Sequence, residues 1–313
     1  HMHILEVYHC VDSTVSNMLL DMYATCGALT DAISLFSECS KQDTITWNVL
    51  MKGLIQNGYE WDALQFFQQM QQEGLCPDEF SWSILVHGYM EQEETEEAFK
   101  IYAQMKEQGI EPNNSILANL LASCGSRAAL QSGKILHSQI IGPYLVDAAE
   151  INLATNLIDM YGKCGSIQEA RYVFGHSLEK TIEMQNALMT TFSHGGLLDE
   201  IETVFREMRH HNIIPNSVTF SCVLAACSHS GLVDEASHAF LSISRVHGVS
   251  YTEDHFLCIV DLFARAGQLE KAQEMVQNLP FGLDDCLAWQ CLLSGCKIHN
   301  DVDRALHVVK HCI

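Results

Sequence analysis

One phrase recurs along this chain at a fixed interval, and that recurrence limits the fold more than any other feature. Asn48-Val-Leu-Met is followed by Gly58, Ala63, Phe67, Met70, Gly74 and Pro77-Asp78. Ser83-Ile-Leu-Val leads to Thr95, Ala98, Tyr102, Met105, Gly109 and Pro112-Asn113. Asn186-Ala-Leu-Met leads to Gly195, Ile201, Phe205, Met208, Asn212 and Pro215-Asn216. Each copy fills a window of about 35 residues, a period that specifies stacked units in a solenoid rather than a globular enzyme.

The pattern inside one window gives the unit. In 44–78, Ile45, Trp47, Val49, Leu50 and Leu54 are spaced for a helix that ends near Gly58. Ala63, Leu64, Phe66, Phe67 and Met70 mark the buried side of a second helix stopped at Gly74, and Pro77 forbids its continuation. A lone hairpin of this size cannot bury both apolar faces, so neighbours must stack to complete the core. Phasing on this frame places units at 13–43, 44–78, 79–113, 114–150, 151–181, 182–216, 217–252, 253–284 and 285–313. His1 to Asp12 reads as the tail of a preceding repeat, and no targeting peptide is legible. The slightly overlong unit 114–150 predicts a loop or bend at Gly142-Pro-Tyr-Leu-Val-Asp-Ala-Ala149. No Gly/Ser linker or low-complexity tract divides the chain, which reads as one array.

Composition removes several classes of function. No apolar run of about 18 residues occurs, so no membrane insertion is expected. The chain has 13 cysteines but no Cys-x-x-Cys. Cys26 and Cys164 recur at one phase of the repeat, and Cys124, Cys227 and Cys296 at another, as small packing residues do. Reduced thiols in a reducing compartment follow. His307 and His311 have the spacing of metal ligands, but with no acid or Cys partner at proper spacing they read as a surface helix end. The zinc-deaminase signature, His-x-Glu followed by Cys-x-x-Cys, is missing, as are a Gly-rich phosphate loop and a Ser/His/Asp arrangement. A non-enzymatic chain without cofactor, metal or small-molecule substrate is the reading. The 17 basic and 39 acidic residues give a formal charge of −22, which opposes a nucleic-acid footprint and suits a basic protein partner. The run Glu91-Gln-Glu-Glu-Thr-Glu-Glu97 reads as a solvated helix start, where acids complement the helix dipole.

The ordered phrases resemble the pentatricopeptide repeat proteins over essentially the whole length. The windows of about 35 residues resemble that family's standard repeat. Asn17-Met-Leu-Leu-Asp-Met-Tyr-Ala-Thr-Cys-Gly and Leu157-Ile-Asp-Met-Tyr-Gly-Lys-Cys-Gly resemble its short repeat. Leu120-Leu-Ala-Ser-Cys with Leu130-Gln-Ser-Gly-Lys-Ile-Leu-His137 resembles its long repeat. The mixture is similar to the plant-type class in which standard, long and short units alternate. Ser217–Ala236 and His255–Gly267 resemble that class's final long and short repeats, and Trp289-Gln-Cys-Leu-Leu-Ser-Gly-Cys-Lys-Ile-His299 the start of the extension domain that follows them. On this reading 1–284 is the repeat array and 285–313 a truncated extension domain.

The resemblance implies an all-α, right-handed superhelical solenoid of helix-turn-helix repeats that binds single-stranded RNA in a chloroplast or mitochondrion. It further implies the recognition part of a cytidine-to-uridine editing or other RNA-processing factor, with editing or assembly proteins as partners. Each repeat reads one base with two or three side chains, the pair being the unit's fifth and last residues. Carried onto this chain, Asn17 with Asp43 and Asn48 with Asp78 resemble uracil-preferring pairs, Ser83 with Asn113 an adenine pair, and Asn186 with Asn216 a cytosine pair. Ile45 and Phe80, the second residues of their units, suit a base-sandwiching role, whereas Glu183 departs from it. Thr155 with Thr181 and the long repeats fit no such rule. The implied target, read 5′ to 3′, contains U-U-A-x-x-C. Two alternatives stand beside this. Asn and Asp after Pro also suit helix caps and turns, and an acidic solenoid also suits a protein-binding scaffold in an organellar complex. Lys52, Lys100, Lys163 and Arg265 bear on that choice, because phosphate contacts supply much of RNA affinity.

Overall fold

A computed structural model describes residues 13–39, 42–92, 94–140, 148–279 and 286–312. His1 to Asp12 and most of the expected bend at 142–149 lie outside these; Ala148 and Ala149 already belong to a helix. All described elements of regular structure are α-helices. They are α1 Ser13–Thr25, α2 Leu29–Glu38, α3 Thr44–Gln56, α4 Glu60–Gln72, α5 Glu79–Glu91, α6 Thr95–Glu107, α7 Asn114–Ser126, α8 Leu130–Ile140 and α9 Ala148–Lys163. There follow α10 Ile167–His176, α11 Ile182–His194, α12 Leu198–His210, α13 Ser217–Ser230, α14 Val233–Arg245, α15 Glu253–Arg265, α16 Leu269–Gln277, α17 Cys286–His299 and α18 Val302–Cys312. None is long and apolar enough to cross a membrane. The chain divides into two compact units, one ending at Arg127 and one beginning at Ala128.

In each unit the odd-numbered helices form one row. In the first, α1, α3, α5 and α7 pack successively; in the second, α9, α11, α13, α15 and α17 do. The even-numbered helices form an outer layer that packs on this row, and they meet one another through side chains such as Lys134–Glu169 and Arg171–Glu200, at 2.8 and 2.7 Å. The row is close because small residues let backbones approach. A Cβ added to Gly53 would lie 2.3 Å from the Ala24 Cβ of the preceding row helix. Aromatics fill the space between layers: Trp47 meets Phe36 at 4.7 Å and Trp82 meets Phe67 at 4.7 Å, all four buried. Cys124, Cys227 and Cys296 are buried as the repeat phase requires, whereas Cys26 is exposed and Cys164 half-buried at the hairpin turns. Each described cysteine is a free thiol.

Helix ends follow from local chemistry. Asp43, Asp78, Asn113, Thr181 and Asn216 each cap the next odd-numbered helix by accepting its third backbone N–H. Gly58 and Gly74 reverse the chain at φ +79° and +82°. Asn212 does so at φ 54°, taking the place of glycine, which its short polar side chain permits. Ala128 takes φ 53° with no such side chain.

Candidate functional site

The caps also form contacts along the row, and these define the site. Asn48 on α3 donates from Nδ2 to Asp78 Oδ1 at 3.1 Å. On α5, Ser83 Oγ accepts from Asn113 Nδ2 at 3.2 Å. On α11, Asn186 donates from Nδ2 to Asn216 Oδ1 at 3.1 Å. Three of the four pairs named from the sequence are thus brought together, each lying thirty residues apart in the chain.

Capping orients each pair. The Asn113 and Asn216 Oδ1 atoms accept from the Ile116 and Thr219 amides at 2.8 and 3.1 Å, so each cap's oxygen is fixed at the helix start. Asn113 therefore offers its Nδ2 to Ser83, and Asn186 must offer its own Nδ2 to Asn216. Asp78 Oδ1 accepts from the Ser81 amide at 2.8 Å, and a carboxylate only accepts, so it meets Asn48 through Nδ2. Partial burial pushes the Asp78 carboxyl up, but hydrogen bonds from the Ser81 amide and hydroxyl, the Asn48 amide and the Phe80 amide outweigh it and hold Asp78 below the usual carboxylate range. Asn48 and Asn186 are 4% and 7% exposed, so their amides reach outward only at their edges.

The fourth pair behaves differently. Asp43 caps α3, accepting from the Thr46 amide and hydroxyl, both at 2.9 Å. Asn17 is not bonded to it, and its Oδ1 is buried without a partner among the described residues. Thr155 and Thr181 are also apart: Thr155 donates to its own helix at Ile151 O, 3.0 Å, and Thr181 caps α11. Beside the joined pairs stand the second residues of the units, with Ile45 60% and Phe80 58% exposed. The equivalent Val218, not singled out by the sequence reading, is 49% exposed. Two buried hydroxyls, Ser81 and Thr219, were also missed, although a Ser or Thr two places before the fifth residue of a unit recurs at Thr46, Ser81 and Thr219.

Three cations of the row helices are balanced by acidic neighbours. Lys52 faces Asp21 of the preceding row helix at 3.6 Å; Lys163 pairs with Asp159 and Arg265 with Asp261 on their own helices at 2.7 and 2.8 Å. These are exposed contacts of low individual strength. Lys100 lies on the outer helix α6, paired with Glu97. No His/Cys/Asp/Glu group among the described residues is arranged to hold a metal.

Comparison with known proteins gives consistent names. Models of the PPR repeat family match residues 42–91 and 78–115, the pentatricopeptide repeat domain 176–230, and the PPR repeat 154–181 and 218–245. A mitochondrial pentatricopeptide repeat-containing protein of Arabidopsis thaliana is 33% identical over 288 residues, covering 92% of this chain and 45% of its own length. A chloroplastic one from the same plant is 31% identical over 292 residues, 93% of this chain and 30% of its own. The chain thus spans less than half of these relatives. Among solved structures, that of the pentatricopeptide repeat protein PPR10 in complex with an 18-nt psaJ RNA element superposes with a TM-score of 0.79 at 14% identity, covering 98% of this chain and 46% of that one. At that identity the likeness speaks to the fold alone.

Proposed function

The chain belongs to the pentatricopeptide repeat family, and from that premise we propose that it binds single-stranded RNA sequence-specifically in a mitochondrion or chloroplast. The observation that carries this reading is the set of three oriented pairs, each flanked by an exposed second residue on which a base could stack or pack. What each pair leaves unused differs. Asn48 keeps one N–H beside the Asp78 carboxylate, whose Oδ2 takes part in none of its bonds with Asn48 and Ser81. A donor beside an acceptor suits uracil, which offers a carbonyl next to N3–H. Asn186 keeps one N–H beside the Asn216 Nδ2 group, because both oxygens are taken by Thr219. Two donors suit cytosine, whose N3 and O2 both accept. Asn113 keeps one N–H beside the Ser83 oxygen, whose own proton goes to Glu79 O at 2.9 Å. That pair suits the N1 and N6–H edge of adenine. Helix capping and base reading are therefore one arrangement.

The alternation of standard, long and short units supports the recognition part of a cytidine-to-uridine editing or other RNA-processing factor, with the chemistry supplied elsewhere. One observation favours a different reading, an acidic scaffold for a basic protein: the chain carries −22, and Lys52, Lys163 and Arg265 are ion-paired. Salt-titrated binding to RNA carrying UUAxxC and to a scrambled control separates the two. Tighter binding of the matched RNA, with Asp78→Asn turning the second U toward C, supports recognition. Equal failure of both RNAs at low salt overturns it in favour of the scaffold.

A further inference from the structure

Each joined asparagine amide is held at two points. In the pair Asn48–Asp78, the second point is the hydroxyl of Ser81, the third residue of the following row helix. Its Oγ lies 2.7 Å from Asn48 Oδ1 and 2.8 Å from Asp78 Oδ1, and accepts from the Asp78 amide at 3.2 Å. In the pair Asn186–Asn216 the equivalent Thr219 Oγ1 lies 2.8 Å from Asn186 Oδ1 and 3.1 Å from Asn216 Oδ1, and accepts from the Asn216 amide at 3.1 Å. Both hydroxyl residues are fully buried. We infer that Ser81 and Thr219 are positioning residues for base recognition, fixing the plane of the neighbouring asparagine amide so that its remaining N–H points at one atom of the base. This rests on the RNA-binding reading above.

The physical ground is geometric. An amide held by Nδ2 alone swings about that single bond, and its second N–H sweeps an arc. A second bond at Oδ1 fixes the plane. Specificity needs that fixity, because a misdirected donor bonds any nearby acceptor with similar strength. The chain supplies its own contrasts. At the unjoined pair, the buried Thr46 hydroxyl goes to Asp43, and Asn17 Oδ1 has no partner among the described residues. At Ser83–Asn113 the third residue is Ile116, and no hydroxyl is required there: the reading oxygen is that of Ser83, already tied to its own helix at Glu79 O.

The test measures equilibrium binding of the full chain to RNAs carrying UUAxxC that differ only at the second or the last of those six bases. A well-placed pair discriminates roughly 5- to 150-fold between bases. Thr219→Val keeps the shape and deletes the hydroxyl. It is expected to reduce discrimination at the last base to less than about 3-fold and to leave the second base unchanged. Ser81→Ala is expected to do the reverse. Thr219→Ser, which retains the hydroxyl and the fold, is expected to keep discrimination. A merely structural role would lower affinity for all sequences alike. Wild-type preference retained in both deletion variants overturns the positioning role while leaving RNA recognition intact. A wild-type chain with no preference at either base overturns the reading beneath it and the role with it.

Discussion

Gln185 is the residue whose replacement should most improve this fold. It sits fully buried on α11, with neither Oε1 nor Nε2 finding a partner among the described residues. Its place in the unit is held elsewhere by Trp47, Trp82, Phe220 and Phe256, each in ring contact with a phenylalanine of the preceding outer helix: Phe36, Phe67, Phe205 and Phe240. Phe174, buried on α10, occupies the corresponding preceding position for Gln185. An amide buried without hydrogen bonds costs about 1–3 kcal/mol by mutational measures. Gln185→Met keeps the unbranched chain and removes both polar atoms, so most of that cost should be recovered. A gain of about 2 kcal/mol corresponds to roughly 4–8 °C in Tm for a cooperative unit of 150–250 residues. Urea and thermal unfolding followed by circular dichroism measure it, with Gln185→Glu as the opposite control, since it places an unpaired carboxylate at the same point. A Gln185→Met protein that melts at or below the wild type would refute the reasoning, because the amide would then be contributing bonds.

Three further perturbations test other joints of the fold. Ala128→Gly should raise stability by about 1 kcal/mol, since φ 53° penalises a Cβ, and an unchanged urea midpoint would contradict this. Gly53→Ala should lower stability by about 1–3 kcal/mol, because the new methyl would press on Ala24 across the α1–α3 contact; the same urea titration reads it. Burial holds the His137 imidazole below its ordinary range, beside the Tyr161 hydroxyl at 2.6 Å. The unfolded chain therefore takes up this proton first: the stability is present above about pH 6.5 and lost as pH falls below it toward the lower folded value. His137→Gln should flatten the difference in unfolding midpoint between pH 7.5 and 5.5, and an unaltered difference would exclude this residue as a source.

What was legible in the sequence had short range. Turn glycines, the prolines after second helices and the apolar spacing are read within one window, and they gave the hairpins. The pairing of Lys52 was not legible in the same way. Lys52 meets Asp21 of the preceding row helix, a contact that exists only once two row helices lie side by side. The double bonding of Asp78, Asn113 and Asn216, to the helix start and to a side chain of the preceding row helix, was hidden for a related reason. From the sequence, capping and base reading looked like competing explanations. In three dimensions the capped helix fixes the oxygen, and that fixes which group faces the side chain on the preceding row helix. The hydroxyls of Ser81 and Thr219 complete the arrangement from the far side of the junction, within the next unit's first turn.

The pairs that stayed apart share a cause of the same kind. Asn48, Ser83 and Asn186 belong to units whose outer helices α4, α6 and α12 each run thirteen residues. Asn17 and Thr155 belong to units whose outer helices α2 and α10 run ten. Three residues of α-helix are about 4.5 Å of rise, most of one turn. That is enough to change where the chain re-enters the row relative to the helix before it. Residue identity alone therefore does not decide which pairs are bonded in this chain. Asn17 and Asp43 have the same side chains as Asn48 and Asp78, yet only the second pair is bonded, oriented and backed by a hydroxyl. A recognition rule written for such a solenoid has to include the length of the outer helix that closes each unit. Under the RNA-binding reading proposed above, that rule assigns the sharper base preference to the standard units.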